Sequence, residues 1–362
     1  MPWSTATIST IPVDQYAASL TNPDTIEPKL VHSEVESYIR KSGGKIIERK
    51  GAKTALITTK GFRDLLEIGR QTRPSLYDIM EDKPETLVRR ALRREVDERT
   101  MADGTILRKV NRDEVLRVLS QLKEKGVEPA VMGVNPENER IVEQCIKETW
   151  PEVYCSVSST ILPEFREFER LSTTVINSYL GPRMKMYIHH LQDRIRQVGV
   201  RVEPYITQSN GGVMSISSTI QTPVQTALSG PSAGVMGAVY VAKAAGFLDI
   251  ITYDMGGTST DVSLVKDGIA EYTTKRKVCG LPSGVPMIDV HAVGAGGGSI
   301  AHIDNAGALK VGPESAGANP GPVAYNLGNE QPVVTDANLV LGRINPHYVL
   351  GGRLKIDAQL SR

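Results

Sequence analysis

The sequence predicts an α/β fold with mixed sheets flanked by helices. Two observations carry this. Short apolar strands alternate with helical segments in the first half. In the second half, β-branched runs bracket a tight glycine turn. In order, "AKTALITTKGFRDLLEIG" reads as a strand, a turn at Gly61 and a helix. "RDEVLRVLSQLKEKGVEPAVMGV" reads as a helix, a stop at Gly126 and a strand, and "NERIVEQCIKETWP" as the next helix. Such βα alternation implies some parallel sheet. A longer helix is expected over Ser172–Gln197, where Met184, Tyr187, Leu191 and Ile195 recur at helical spacing and Pro182 marks a kink or junction. His189 and His190 are adjacent on it and point about 100 degrees apart, so they read as surface histidines, not as a metal pair.

"ETLVRRALRREVDERT" stacks Arg89 with Arg93 and Arg90 with Arg94 at a spacing of four. On a helix this makes either an anion-binding face or, given the interleaved acids, a solvated one.

The chain has 362 residues, long enough for two domains. Lys plus Arg total 42 and Asp plus Glu 41, a net charge of +1. This balance points to neither nucleic acid nor an anionic membrane surface. Cys145, Cys155 and Cys279 are too few and too scattered for a disulfide framework or a zinc site, and suit a reducing, cytoplasmic setting. The N-terminal stretch lacks the basic and apolar regions of a signal peptide, and the tract Gly234–Tyr253 is broken by Lys243 and Asp249, unlike a membrane span. Residues 1–45 read as irregular. Gly, Ser and Thr rise beyond residue 200, so the expected division is 1–45, 46–199 and 200–362.

The chemistry concentrates in "FLDIITYDMGGTSTDVSLVKDG". Two strands flank a hairpin turn that carries Gly256 and Gly257. Bare glycine backbone can bring N–H groups close to a phosphate. Thr258, Ser259 and Thr260 add hydroxyl donors. Asp254 ends the first strand and is placed to hold Mg²⁺ through water, and Asp261 opens the second. On spacing alone a polar hairpin turn reads equally well.

Upstream, Gly230-Pro231-Ser232-Ala233-Gly234 matches the G-x-S-x-G nucleophile elbow, which would make Ser232 a nucleophile with His291, His302 or His347 as base. The preceding "TIQTPVQTAL" is a poor buried strand, and Pro231 favours a helix start instead. Downstream, "MIDVHAVGAGGGSIAHID" fails the dinucleotide fingerprint at Ser299. Gly296, Gly297 and Gly298 still suit a second backbone-lined loop. Asp289 and His291, two apart on an expected strand, suit a second divalent metal, an acid/base pair or a structural hydrogen bond. "GPESAGANPGPVAY" is a long functional-looking loop, and Thr335 or Asp336 is placed to cap the helix in "VTDANLVLG". Walker A, H-E-x-x-H and C-x-x-C patterns are absent from the sequence.

The order of these stretches resembles the hydantoinase A/5-oxoprolinase family within the actin/Hsp70/sugar-kinase ATPases. The resemblance is carried by "ERKGAKTALITTKGFRDLLEIGRQTRPSLYD", "SSTILPEFREFERLSTTVINSYLGP", "QSNGGVMS", "SGPSAGVMGA", "DMGGTSTDVSLV", "VHAVGAGGGSIAHID" and "VGPESAGANPGPVAY". It implies incomplete actin-like (RNase H-like) ATPase lobes: an N-terminal-type domain over 46–199 and an ATPase domain over 200–362. It implies ATP and Mg²⁺ as cofactors, and opening of a small cyclic amide (hydantoin or 5-oxoproline type) after phosphoryl activation. It also implies a hydantoinase B-type subunit or domain as partner in a hetero- or homo-oligomer. Carried onto this chain, Asp254 serves the metal, Gly256, Gly257, Thr258 and Ser259 cradle phosphate, and Asp261 braces the loop. The family's other D-x-G-G-T loop has no counterpart here: of the diglycines at 43–44, 211–212, 256–257, 296–298 and 351–352, only the third has the pattern. The resemblance therefore implies a copy shortened at both ends. Its alternatives are an ATP-dependent hydrolase subunit and an inactive remnant that binds a partner or nucleotide.

Overall fold

The structure, a computed structural model, describes residues 51–362 apart from 102, 134, 135, 198, 279, 348 and 350–353. The expected irregular segment 1–45 lies outside these residues. The chain forms two compact units of interleaved segments. Unit one holds the described residues up to Ile206, with Val213–Ala227 and Lys275–Val285. Unit two holds Thr207–Gly212, Leu228–Thr274 and Pro286–Arg362. The mixed α/β class expected from the sequence is the class adopted.

Unit one is built on a parallel four-stranded sheet. Its strands are β1 (Thr54–Thr59), β2 (Arg93–Val96), β3 (Glu128–Met132) and β4 (Ser156–Val157), in the order β2-β1-β3-β4. All six β1 residues are buried, as a central parallel strand covered on both faces requires. Helices α1 (Arg112–Lys123) and α2 (Pro136–Thr149) connect the strands. Asn111 caps α1 by accepting from the Asp113 and Glu114 amides at 2.8 and 3.3 Å. Leu56, Ile57, Leu119, Leu122, Val142 and Ile146 fill the core, and burial of each such side chain stabilises by about 1.5–3 kcal/mol.

The helix expected over the arginine-rich stretch is not there. Residues Arg90–Leu92 make one 3-10 turn and Arg93 opens β2. Arg93 is buried, and its guanidinium donates to the Val88 carbonyl at 2.9 and 3.0 Å, to Thr86 at 3.0 Å and to Glu67 at 3.0 Å. Arg90 instead forks onto Asp64 at 2.9 and 3.0 Å. The arginines are therefore not stacked on one helical face. The Nε and Nη2 donors of this fixed, planar group are held from several sides, which overrides the helical propensity.

The long helix α3 runs Glu167–Gln197 and starts five residues earlier than the periodicity predicts. It continues through Pro182. Just before that proline, Gly181 faces Tyr154, whose ring a Cβ at 181 would overlap. His189 and His190 are exposed. Among the described residues no helix is long and apolar enough to cross a membrane.

Unit two packs helix α4 (Ser229–Ala244) on an antiparallel sheet of β5 (Ile250–Met255), β6 (Thr260–Lys266), β7 (Ile269–Ala270) and β8 (His291–Val293). Val235 and Val239 of α4 bury against Val265, Ala270, Ile288 and Val290, with Met236 and Ile250 at the margin. A second hairpin, β9 (Ser299–Ile303) with β10 (Leu309–Ser315), and helix α5 (Val334–Val340) complete the part of this unit that matters below.

Candidate nucleotide-phosphate site

The hairpin expected around "DMGGTSTDV" forms. Strands β5 and β6 pair from Met255 with Thr260 down to Ile250 with Val265, leaving Gly256–Ser259 as the loop. The Gly256 amide donates to the Ser259 carbonyl at 2.9 Å and closes the turn. Residues Asp254 through Ser259 are exposed.

The triglycine lies directly against this loop. Gly297 donates its amide to the Gly256 carbonyl at 2.9 Å, and Gly298 donates to the Gly257 carbonyl at 2.7 Å. These peptides are trans. In a planar trans peptide the carbonyl and the following N–H point in opposite directions. Because the Gly256 and Gly257 carbonyls are aimed at the triglycine, the Gly257 and Thr258 N–H groups are aimed away from it. Neither these two amides nor that of Ser259 has a hydrogen-bond partner among the described residues. A Cβ at Gly257 would meet nothing within 4 Å. The loop thus offers bare donors on an open face, the arrangement that suits an anion.

Beyond the loop itself, the predicted site residues divide into four groups. Asp254 and Asp261 are register partners on adjacent strands, so their side chains share one face. Carboxylates directly opposite each other repel, which a bound cation would relieve, so the pair fits Mg²⁺. Thr260 does not add a hydroxyl to the loop's open face: it is buried, and its Oγ1 donates to the Ala295 carbonyl at 2.5 Å. Gly296, Gly297 and Gly298 spend their amides on the Ser299 hydroxyl (2.8 Å) and on the two loop carbonyls, so they support the hairpin from behind.

Asp289 and His291 come together at 3.5 Å. His291 is the register partner of Val262, whereas Ala292 is that of Asp261. Alternation therefore places His291 on the opposite sheet face from Asp254 and Asp261, and one metal ion cannot join the two sets. Among the described residues no group of three or more His, Cys, Asp or Glu could hold a metal.

Ser232 is not a nucleophile. It is buried inside α4, and its Oγ donates to the Ser209 and Leu228 carbonyls at 2.7 and 3.0 Å. The residue continues a helix, and the strand-turn-helix elbow that would expose it is missing.

Sequence reasoning missed the supports. Ser299, the residue that breaks the dinucleotide fingerprint, is fully buried and accepts the Gly296 amide. Thr335 uses both its amide and its Oγ1, each at 2.8 Å, on the Gly297 carbonyl. Asp336, expected as one of two possible caps, sits in the first turn of α5. It accepts from the Val333, Val323 and Ala324 amides at 3.0–3.1 Å. A polar residue directly after a triglycine or at a helix start is the only sequence signal for these roles.

Two family models match the chain: Hydantoinase/oxoprolinase over residues 170–362, more than half of the chain, and Hydantoinase/oxoprolinase N-terminal region over 44–150. The chain belongs to the hydantoinase/oxoprolinase family. A relative from Methanocaldococcus jannaschii is 40% identical over 326 residues, covering 85% of this chain and 48% of the relative. The caprolactamase subunit alpha of Pseudomonas jessenii is 36% identical over 321 residues, covering 87% of this chain and 46% of that subunit. The crystal structure of the ATP-dependent caprolactamase from the same organism superposes with a TM-score of 0.79 at 36% identity, over 89% of this chain and 48% of that one. A nucleotide-free acetone carboxylase gives 0.68 at 28% identity, over 88% and 47%. This hydantoinase/oxoprolinase chain thus spans about half the length of these relatives.

Proposed function

We propose that the chain supplies a phosphate-binding hairpin to an ATP-dependent enzyme that activates a cyclic amide by phosphoryl transfer. The observation that carries this reading is the pair of outward-facing, unpartnered amides of Gly257 and Thr258 beside the facing carboxylates Asp254 and Asp261. The names of the relatives, an ATP-dependent caprolactamase and an ATP-dependent carboxylase, support it.

In this reading the γ-phosphoryl of ATP moves to the amide oxygen. The bond from phosphorus to the β–γ bridging oxygen breaks, a phosphorus–oxygen bond to the amide forms, and ADP departs. Water then adds at the amide carbon, the ring C–N bond opens to leave an acyl phosphate on the opened chain, and a second water hydrolyses that to carboxylate and free phosphate. The amides of Gly257, Thr258 and Ser259 would hold charge on the transferred group. Asp254 would hold Mg²⁺ through water, which neutralises phosphate charge, with Asp261 across the strand sharing that ion. A hydantoinase B-type subunit or domain is the proposed partner for the ring-opening half.

The single D-x-G-G-T stretch in the sequence favours a second reading, in which the chain binds nucleotide or a partner without turnover. Calorimetric titration of the full chain with MgADP and MgATP, alongside turnover assays on caprolactam, 5-oxoproline and hydantoin, separates the two. Magnesium-dependent binding that is lost in Asp254→Ala at unchanged Tm supports the site. Binding without turnover selects the second reading. Nucleotide binding that is indifferent to both Asp254→Ala and Gly257→Val would sink the site itself.

A further inference from the structure

Unit one contains a cavity of about 230 Å³. It opens between the C-terminal half of α2, the segment Trp150–Cys155, Lys185 of α3 and Ile220 of the short helix Ile216–Gln221. Ile146, Trp150, Val153 and Ile220 give it apolar walls. These walls are tied together. The Tyr154 hydroxyl lies 2.8 Å from the Ile220 carbonyl and 3.0 Å from that of Gln221, and the Asn177 side-chain amide donates to it at 3.2 Å. The Trp150 amide donates to the Ile146 carbonyl at 2.7 Å. The volume equals that of roughly eight liquid waters. It falls below the roughly 300–1,000 Å³ of sites for drug-sized ligands. A single ring or a short carbon chain is the occupant this size admits.

Two polar groups on the lining lack partners. Trp150 is only 7% exposed, and its indole N–H makes no hydrogen bond among the described residues. A buried indole N–H ordinarily finds an acceptor. Lys185, exposed at the rim, makes no ion pair among the described residues. The acid it acts on, Glu128, already takes the Tyr154 amide at 2.7 Å. The other lining charges are matched. Lys147 pairs with Glu143 at 2.6 Å, and Glu152 lies 3.9 Å from Lys123. The lining therefore keeps one cation and one N–H donor for a ligand. An apolar cleft with a few such polar groups is the usual form of a small-molecule site.

We propose that this cavity binds a small organic monocarboxylate. A carboxylate oxygen accepts from the Trp150 indole, the charge pairs with Lys185, and the apolar body lies against Ile146, Val153 and Ile220. One negative charge is preferred, because a second would meet Glu143 or Glu152. The lining belongs wholly to unit one and the hairpin loop to unit two, so this inference is independent of whether the loop binds nucleotide.

The test titrates the full chain with hexanoate, read by calorimetry and by tryptophan fluorescence. The sequence has two tryptophans, so Trp3→Phe makes Trp150 the only reporter. Saturable one-to-one binding with a Kd of about 1 mM or below is expected. Hexanamide, which lacks the charge, and adipate, which adds a second, should each bind at least tenfold more weakly. Lys185→Gln should weaken hexanoate binding at least tenfold, and Trp150→Phe at least threefold by calorimetry. Lys60→Gln, also at an exposed lysine of unit one, should leave it unchanged. Lys185 is exposed, so unaltered circular dichroism is expected in its variant and checks folding. Absence of saturation up to about 10 mM hexanoate overturns the proposal. So does equal affinity for hexanamide or adipate, or an affinity indifferent to Lys185→Gln.

Discussion

A Cβ placed on Gly296 would lie 2.6 Å from the amide nitrogen of Thr258. No relaxed structure tolerates that approach, and the obstructing atom is backbone, which cannot swing aside. Gly296 is therefore glycine because the Gly256–Ser259 loop rests on it. Gly296→Ala should destabilise the chain by about 1–3 kcal/mol through overpacking. Gly294→Ala, where a Cβ would meet nothing within 4 Å, should stay within about 0.5 kcal/mol of the parent. Urea unfolding of the two variants makes the comparison. Equal effects would remove the bracing role.

Arg93 offers a second contrast. Its guanidinium satisfies Val88, Thr86 and Glu67 from a fully buried position. Lysine keeps the charge but cannot reproduce a planar fork. Arg93→Lys is expected to cost about 1–3 kcal/mol, the range for leaving buried partners unsatisfied. A variant with parental stability would show that the fork is dispensable.

Glu128, at the start of β3, titrates with an unusual sign for a carboxylate. Burial pushes its pKa up, against the opposing pull of the Tyr154 amide, which donates to it at 2.7 Å, and of Lys185. A raised folded pKa means that the stabilising contribution is full below the unfolded value, near 4, and is lost as pH rises through the folded one. Glu128→Gln keeps an acceptor for Tyr154 and removes the charge. It should raise the urea midpoint at pH 7 and leave it unchanged at pH 4. The opposite ordering would show that the ionised form is favoured in the fold.

Cys145 and Cys155 should both be inert. Burial pushes both thiols up, Cys155 far above the usual range, so neither supplies thiolate at neutral pH. Iodoacetamide at pH 8 should leave both unlabelled in the native chain and label both after denaturation, as read by peptide mass spectrometry. Native labelling at Cys145, which is fully buried, would contradict the core packing of α2.

The hairpin was legible because its signals are local. "DIITY" and "DVSLV" are β-branched on either side of Gly256-Gly257, and no distant contact is needed to predict the turn. The helix start at Pro231 was legible for the same reason, and it outweighed the G-x-S-x-G match. Two features were hidden. Arg93 mimics a helical surface residue in one dimension, and only the neighbours gathered by the parallel sheet reveal it as buried. The triglycine reads as a ligand loop in isolation. Its amides are committed to Gly256 and Gly257, forty residues away, and such a pairing leaves no local signature.

Thr335 carries the last consequence. Through its amide and hydroxyl it fixes the Gly297 carbonyl, Gly297 fixes the Gly256 carbonyl, and the hairpin loop takes its shape from that chain of three. A ligand arriving at Gly257 therefore meets a surface already set by a helix nearly eighty positions downstream. Little backbone freedom is left to freeze, so association at the loop should proceed with a small conformational entropy change. The nine-residue stretch excised as a peptide would share the composition of the site and none of its preorganisation.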